Sequence, residues 1–430
     1  VVDRAVADAV EAAHRKEWAL VLAATVRVTA DLDLAEECVQ AAFTRALVAW
    51  EQSGIPSRPG AWLTTAARNV AIDELRRADA LRRRLPLLVE EETAPFYAWG
   101  SDRAVEDDRL RLIFTCCHPA LATESQIALT LRLVCGLSTS EVARAFLVTE
   151  PTMAARITRA KKKISQARIP YRTPSPEELP ERIAVVLHVV YLVFTTGHTS
   201  PSGAELLRFD LVDRALGLAR MLRSLLPRDR AVSGLLGLLL LTHARSGGRT
   251  TAGELVLLAD QDRGRWDRVA IEEGSGLILE ALLDEPPSMY AVLGAIARVH
   301  DIAPSWEATD WDEIVRYYEL LESLWPSPVV ALNHAAAIGF AYGPEAGLAR
   351  LERLADDPRL ATYPYYATAR ADFHERVGDL EAARTFFAEA LMLTDNEVER
   401  TYLQGRIADL SMEGSGSPAG KRRDNDPRTS

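Results

Sequence analysis

GLSTSEVARAFLVTEPTMAARITRAKKKI, residues 136–164, is the stretch whose reading decides the fold. Ser138 with Glu141 three positions on is a capping box, which starts a helix just after Gly136 and Leu137. Val142, Ala143 and Phe146 give that helix an apolar face. Thr149 can cap a second helix, with Pro151 in its first turn, where a missing N–H leaves no bond unmade. Met153, Ile157, Ala160 and Ile164 follow at 4-3-4 spacing and point inward, so Thr152, Arg156 and Arg159 fall on the opposite side. Two short helices joined in this way are a helix-turn-helix, whose second helix enters a major groove. Arg156 has bidentate reach to guanine, whereas Lys161, Lys162 and Lys163 suit phosphates. The competing reading makes Arg156 a surface salt bridge and the lysines a solvated helix end that complements the dipole.

Upstream, AWLTTAARNVAIDELRRADALRRR (residues 61–84) is an amphipathic helix ending in five arginines within nine residues. Leu63, Ala67, Val70, Ala71 and Ala78 cluster on one arc, with Leu75 at its margin; Thr65, Asn69, Asp73, Arg76 and Arg83 lie on the other. Glu74 falls on the buried arc, so that face is not wholly dry. Asn69 can pair with a base edge, and arginines such as Arg76 and Arg77 can hold a backbone. Trp62 stands at the start of the helix, where an indole can stack on an unstacked base, although a core position is the commoner fate of tryptophan. Still further upstream, DLDLAEECVQAAFTRALVAW (residues 31–50) carries Val39, Phe43, Ala46 and Trp50 as an inward stripe. Glu36, Glu37 and Gln40 lie on other arcs and present an acidic, polar surface. Such a surface repels phosphates, so a basic protein is its expected partner.

The chain has 430 residues, enough for about two to four domains, and 48% hydrophobic residues exclude global disorder. No run approaches the ~20 uninterrupted apolar residues of a membrane span. Leu235–Leu241 reads as part of a buried helix. Asp3, Asp8 and Glu11 argue against a cationic signal sequence, and four cysteines argue against a disulfide framework, so a cytoplasmic protein with no membrane partner is expected. The net charge of −11 is unevenly spread: residues 1–170 hold 23 Lys+Arg against 22 Asp+Glu, and residues 171–430 hold 27 against 39. Residues 156–168 hold six cations and no acid, a local source of phosphate affinity on an acidic chain.

Strand signals are nearly absent and apolar residues recur at three- and four-residue spacing, so the expected class is all-α. Residues 53–60 (SGIPSRPG) break the first helices. Residues 86–105, with Pro86, Pro95, an acidic run and Trp99, read as a linker. The four prolines of residues 170–180 mark a second boundary. The expected domains are therefore 1–85, 106–170 and 171–410, with a disordered tail over 411–430. Within the third, Ala337 and Ala371 are 34 residues apart and Gly343 and Gly378 are 35 apart. Ala383, Phe387 and Ala390 then follow with the small-aromatic-small spacing of a tetratricopeptide helix pair. A nonrepetitive helical bundle is the alternative.

No motif asks for catalysis, cofactor or metal. Adjacent Cys116 and Cys117, beside His118, cannot easily both chelate zinc, so a packed helix end is expected there. Asp260, Gln261, Asp262, Arg263, Trp266 and Asp267 are dense in polar groups, but no phosphate loop or nucleophile order accompanies them. A salt-bridge network, or a contact with the DNA-binding domains, is expected instead, and the chain is not read as an enzyme.

The ordered segments DLDLAEECVQAAF, AWLTTAARNVAIDELRR and GLSTSEVARAFLVTEPTMAARITRAKKKI resemble the sigma-70 family, in its extracytoplasmic-function (ECF) group. IFTCCHPAL (113–121), GELVLLADQDRGRWDR (253–268) and SPVVALNHAAA (327–337) resemble the subgroup with a large tetratricopeptide-like C-terminal extension. The resemblance implies a sigma-2 helical domain, a sigma-4 helix-turn-helix domain and a C-terminal α-helical tetratricopeptide-like array that regulates them in cis. It further implies core RNA polymerase and promoter DNA as partners, with a small regulatory protein acting on the extension. By resemblance, Glu37 and Gln40 lie on the helix that grips the polymerase. Trp62, Asn69, Arg76 and Arg77 face the minus-ten element, and Thr152, Arg156 and Arg159, with Lys161–Lys163, face the minus-thirty-five element. Ala41 stands where the family often has an acid, and Thr195–His198 replace a more acidic-aromatic loop. The alternative is a helix-turn-helix regulator that works without polymerase and senses a ligand or protein through its helical half. Such a regulator would not need the helix over residues 31–50.

Overall fold

Each early helix stops where its sequence supplies a reason. In the computed structural model, which describes residues 3–84, 108–146, 148–198, 202–203, 207–251 and 254–415, α1 (Arg4–Thr29) ends at Ala30 in a left-handed conformation. Asp31 then caps α2 (Leu32–Ser53), accepting from the N–H groups of Asp33 and Leu34 at 2.8 and 2.9 Å. Gly54, at φ 81°, ends α2, and α3 (Pro59–Arg84) begins two residues earlier than residues 61–84 suggested. Among the described residues the only strands are two-residue ladders, Ser202–Gly203 parallel to Asp395–Asn396 and Thr250–Thr251 antiparallel to Glu254–Leu255. The class is all-α. The expected linker over 86–105 and most of the tail lie outside the described residues; α18 (Glu397–Ser415) carries helix into the tail's first residues.

The chain divides into two units. The first runs to Val193 and takes in Gly217–Leu225. Its first three helices pack together around Trp18, Leu22, Val39, Phe43, Trp50, Leu63 and Ala67, all buried. Next come α4 (Asp108–Cys116), α5 (Thr123–Leu129) running into a π-helical turn at Thr130–Val134, α6 (Thr139–Ala145) and α7 (Glu150–Gln166). Cys116 ends α4 with Cys117 next to it; both are buried. The Cys117 thiol, pushed up to about 11 by burial, sits 3.4 Å from the Thr130 hydroxyl. The prolines of residues 170–180 do not separate the units. Tyr171 is buried, donating to the carbonyls of Ala23 (3.0 Å) and Asp108 (3.2 Å), and Arg182 of α8 (Leu179–His198) donates to the carbonyl of Phe114. α8 is long and apolar enough, by length and composition alone, to cross a membrane.

The second unit holds Phe194–Leu216 and the chain from Leu226 on. After α9 (Phe209–Leu225), the Leu-rich run buries itself in α10 (Arg230–Ala244) against α11 (Arg268–Ala281) and α12 (Met289–Ile302). Six helices follow, each packed on the next: α13 (Trp311–Leu324), α14 (Pro328–Tyr342), α15 (Pro344–Glu352), α16 (Pro364–Arg376), α17 (Leu380–Leu393) and α18. Gly343 (φ 107°) and Gly378 (φ 85°), the pair 35 apart in sequence, occupy equivalent turns after α14 and α16, in conformations that a side chain would strain. Ala371, Ala383, Phe387 and Ala390 are buried together at the α16–α17 crossing. The polar segment over 260–267 is spent on fixing its own loop. Asp262 accepts from Gly264 N–H (2.8 Å), Asp267 caps α11 at Ala270 N–H (3.0 Å), and Arg263 donates to the carbonyls of His300 (2.6 Å) and Ala303 (2.9 Å).

Candidate nucleic-acid interface

In the helix-turn-helix the capping box is present in both directions: Glu141 N–H donates to Ser138 Oγ (3.2 Å), and Ser138 N–H donates to Glu141 Oε2 (2.6 Å). Met153, Ile157, Ala160 and Ile164 are all buried, which turns the remaining residues of α7 outward. Thr152, Arg159, Lys162 and Lys163 are exposed. Thr149 holds the cap position but does not cap the backbone; its hydroxyl lies 2.8 Å from that of Thr152. Arg156 is half-buried, its guanidinium 5.4 Å over the Phe146 ring, which braces a side chain otherwise free to swing.

Lys161 departs from its neighbours. The expectation grouped it with the phosphate-facing lysines, yet its side chain is only 10% exposed and its ammonium pairs with Asp33 (2.6 Å) and Glu36 of α2. Glu36 also forms an ion pair with Arg132 at 2.8 Å and is itself buried, so it is not part of the exposed acidic surface expected of it. Glu37 and Gln40, on the same helix, are exposed. The sequence pattern could not reveal the fate of Glu36, because both partners lie about a hundred residues away.

Trp62 and Asn69 come together in an open groove of about 960 Å³ between α2 and α3. Trp62 is half-buried and set edge-on to buried Trp50, with ring centroids 5.7 Å apart and planes at 72°. One part of the indole is thus fixed in the core while another lines the groove. Arg45, Gln52 and Arg58 also line it. These three were missed: residues 53–60 read only as a helix break, although Arg58 stands four positions before Trp62 and so near it at the head of α3. Arg76 and Arg77 are exposed farther along α3; Arg77 pairs with Glu74 at 2.7 Å, which explains how an acid is tolerated there. The groove thus combines an aromatic face, an amide and cations, the set that holds an unpaired nucleic-acid strand.

An all-α chain with a helix-turn-helix, a basic recognition helix and a second, aromatic groove belongs to the class of DNA-binding transcription proteins. Comparison with known families sharpens this. A Sigma-70 region 2 model matches residues 15–81, and a Sigma-70, region 4 model matches residues 111–164. A third, a family of unknown function (DUF6596), matches residues 182–282. The chain is also 42% identical over 400 residues to an uncharacterized protein of Rhizobium meliloti (strain 1021), covering 91% of this chain and 93% of that one. The chain belongs to the sigma-70 family, sharing one lineage with that relative, and is a sigma factor acting with core RNA polymerase in promoter recognition and transcription initiation. The region 2 match spans the helix over residues 31–50, the segment a polymerase-independent regulator would not need.

Proposed function

We propose that the chain is an ECF-type sigma factor that reads a two-part promoter, with Trp62, Asn69, Arg76 and Arg77 on the minus-ten side. Thr152, Arg156, Arg159, Lys162 and Lys163 serve the minus-thirty-five side, and Glu37 and Gln40 contact core polymerase. The observation that carries this reading is the groove between α2 and α3, in which Trp62 and Asn69 meet Arg45 and Arg58. A duplex reader needs no aromatic groove; a protein that holds a separated strand does. The exposed pair Glu37 and Gln40 supports the polymerase contact, since an acidic, amide-bearing patch fits a basic protein surface. The second unit is a tetratricopeptide-like scaffold acting on the factor in cis, open to a small regulatory protein, and the whole works in the cytoplasm. Changing Glu37 and Gln40 together to Lys should weaken core binding at least tenfold with no change in melting temperature. Unaltered core affinity in that variant would remove the assigned contact.

A further inference from the structure

The bonds that fix the 260–267 loop leave part of it over. Gln261 Oε1, the Nη2 arm of Arg263 and Trp266 Nε1 are buried without a hydrogen-bond partner, and so are both oxygens of Asp301. His300, next to Asp301 in sequence, adds its Nδ1. These groups converge. The Arg263 guanidinium lies 4.5 Å over the Trp266 ring, and its other arm donates to the carbonyls of His300 and Ala303, which flank Asp301. Arg245 Nε stands 3.4 Å from Asp301 Oδ1, an ion pair without a hydrogen bond. The Arg245 carbonyl accepts from Gly248 N–H (2.9 Å), and Gly248 faces both Trp266 and Gln261. A Cβ there would come 3.0 Å from Trp266 Nε1 and 3.2 Å from Gln261 Oε1, so any side chain would cover the two atoms that glycine leaves open.

A buried polar atom left unpaired is costly, so native folds carry few of them and rarely several in one place. Trp266 is 3% exposed and Asp301 0%, so bulk solvent does not serve them. Sorted by chemistry, the unused atoms form two sets. Arg263 Nη2 and Trp266 Nε1 are donors, the pair that the two oxygens of a carboxylate need. Asp301 Oδ1 and Oδ2 with Gln261 Oε1 are three acceptors, and an ammonium has three N–H bonds to give. The Gln261 amide nitrogen donates to the Val256 carbonyl (3.1 Å), which fixes the opposite end of the amide as the acceptor. Charge agrees with this sorting. Burial lowers the Arg263 guanidinium, which has no carboxylate within ion-pair reach among the described residues. Burial also lifts the Asp301 carboxyl to about 6, outweighing Arg245 beside it. We propose that the second unit binds a free amino acid here, its carboxylate on Arg263 and Trp266 and its ammonium on Asp301 and Gln261. Entry is by the short turn Arg263–Arg265, where Gly264 and Arg265 are exposed. Bound there, the ligand ties the end of α10 to the start of α11 and the end of α12, so its concentration sets the stability of this unit. The site lies wholly within the second unit, and the proposal is independent of the promoter assignments.

The test is calorimetric and uses the full chain. Each of the common L-amino acids is titrated in turn, with acetate and methylamine as the two halves of the ligand. At least one amino acid should bind with simple stoichiometry and, at about a hundredfold excess over its Kd, raise the melting temperature of the second unit by roughly 5 °C. Acetate and methylamine should each bind at least roughly tenfold more weakly, a comparison that needs no variant. Gly248→Ala keeps every polar group and adds one methyl over Trp266 Nε1 and Gln261 Oε1. Trp266→Phe removes a donor and keeps an aromatic ring, and Asp301→Asn removes the charge with little change of shape. Each should weaken binding by roughly tenfold or more while the ligand-free melting transition stays cooperative. Amino acids that give neither heat nor a shift in melting temperature would leave the site to ordered water and overturn the proposal. Binding undiminished in the variants that fold, or acetate that binds as tightly as any amino acid, would overturn it equally.

Discussion

Arg156 and Lys162 lie six residues apart on one helix, yet their surroundings assign them different work. Arg156 is braced over the Phe146 ring, so its guanidinium can meet a base edge at small entropic cost; Lys162 is unbraced and exposed. Arg156→Ala should cost about 1–3 kcal/mol and relax preference at one position of the upstream element. Lys162→Ala should weaken binding evenly across sequences and reduce the slope of log affinity against log salt by about 1. Binding isotherms on single-base variants of the element separate the two, and equal behaviour would mean that Arg156 reads no base. The inward side of α7 was legible because a 3.6-residue period reports burial directly: Met153, Ile157, Ala160 and Ile164 are all buried. Lys161 was not, since nothing in its local pattern distinguishes a lysine aimed at phosphate from one drawn inward by Asp33 and Glu36. The same holds for Arg45 and Arg58, which acquire meaning only when α2 and α3 are set side by side.

Between elements of the second unit, buried ionisable groups make stability depend on pH. His198, at the end of α8, lies by the Thr242 carbonyl (3.3 Å) and Arg249; burial, then Arg249, lowers it to about 3. His300, near the end of α12, is likewise lowered to about 3, by burial and then Arg245. Both folded values lie below the unfolded one, so the stability these neutral rings supply is present above about pH 6.5 and is lost as the pH falls toward 3. Asp301 works the other way: burial raises it to about 6, so the fold binds its proton first and gains stability as the pH falls from 6 toward 4. Two histidines outweigh one aspartate. Going from pH 7 to pH 5 should destabilise the second unit by on the order of 2 kcal/mol, and Asp301→Asn should steepen that loss. Urea unfolding at the two pH values, followed by tryptophan emission, reads this; a stability that rises on acidification would mean that the histidines are charged in the fold. None of it was visible in sequence, where residues 260–267 suggested a polar cluster but the burial of His198, His300 and Asp301 depends on helix ends brought together from three places. The 35-residue glycine spacing was visible, because a turn that needs positive φ leaves its mark on composition.

For the molecule as a whole, the issue is what the second half contributes to the first. Residues 171–430 carry 27 basic against 39 acidic side chains, while residues 1–170 are nearly neutral. The cut suggested by the prolines, after Arg172, would be a poor experiment. It would remove α8, whose Ile183, Val186 and Val190 are buried and whose Arg182 holds the Phe114 carbonyl, and so would damage the DNA-binding unit itself. A point change inside the second unit is cleaner. Gly347 sits where α15 meets α14 and α16: an added Cβ would come 2.7 Å from the Phe373 ring and 2.8 Å from the backbone of Gly339. Because one of those neighbours is main chain, the site cannot relax by rotating a side chain, and Gly347→Val should destabilise this unit by about 2 kcal/mol or more. The first unit should keep its melting transition and its affinity for promoter duplex. If the scaffold is required in cis, abortive initiation by the reconstituted polymerase should fall several-fold at a temperature where only the second unit has melted. A rise in initiation there would make the scaffold an inhibitor instead. Initiation that stays at the wild-type level, with the loss of the second unit confirmed by calorimetry on the same sample, would leave it no regulatory role in cis.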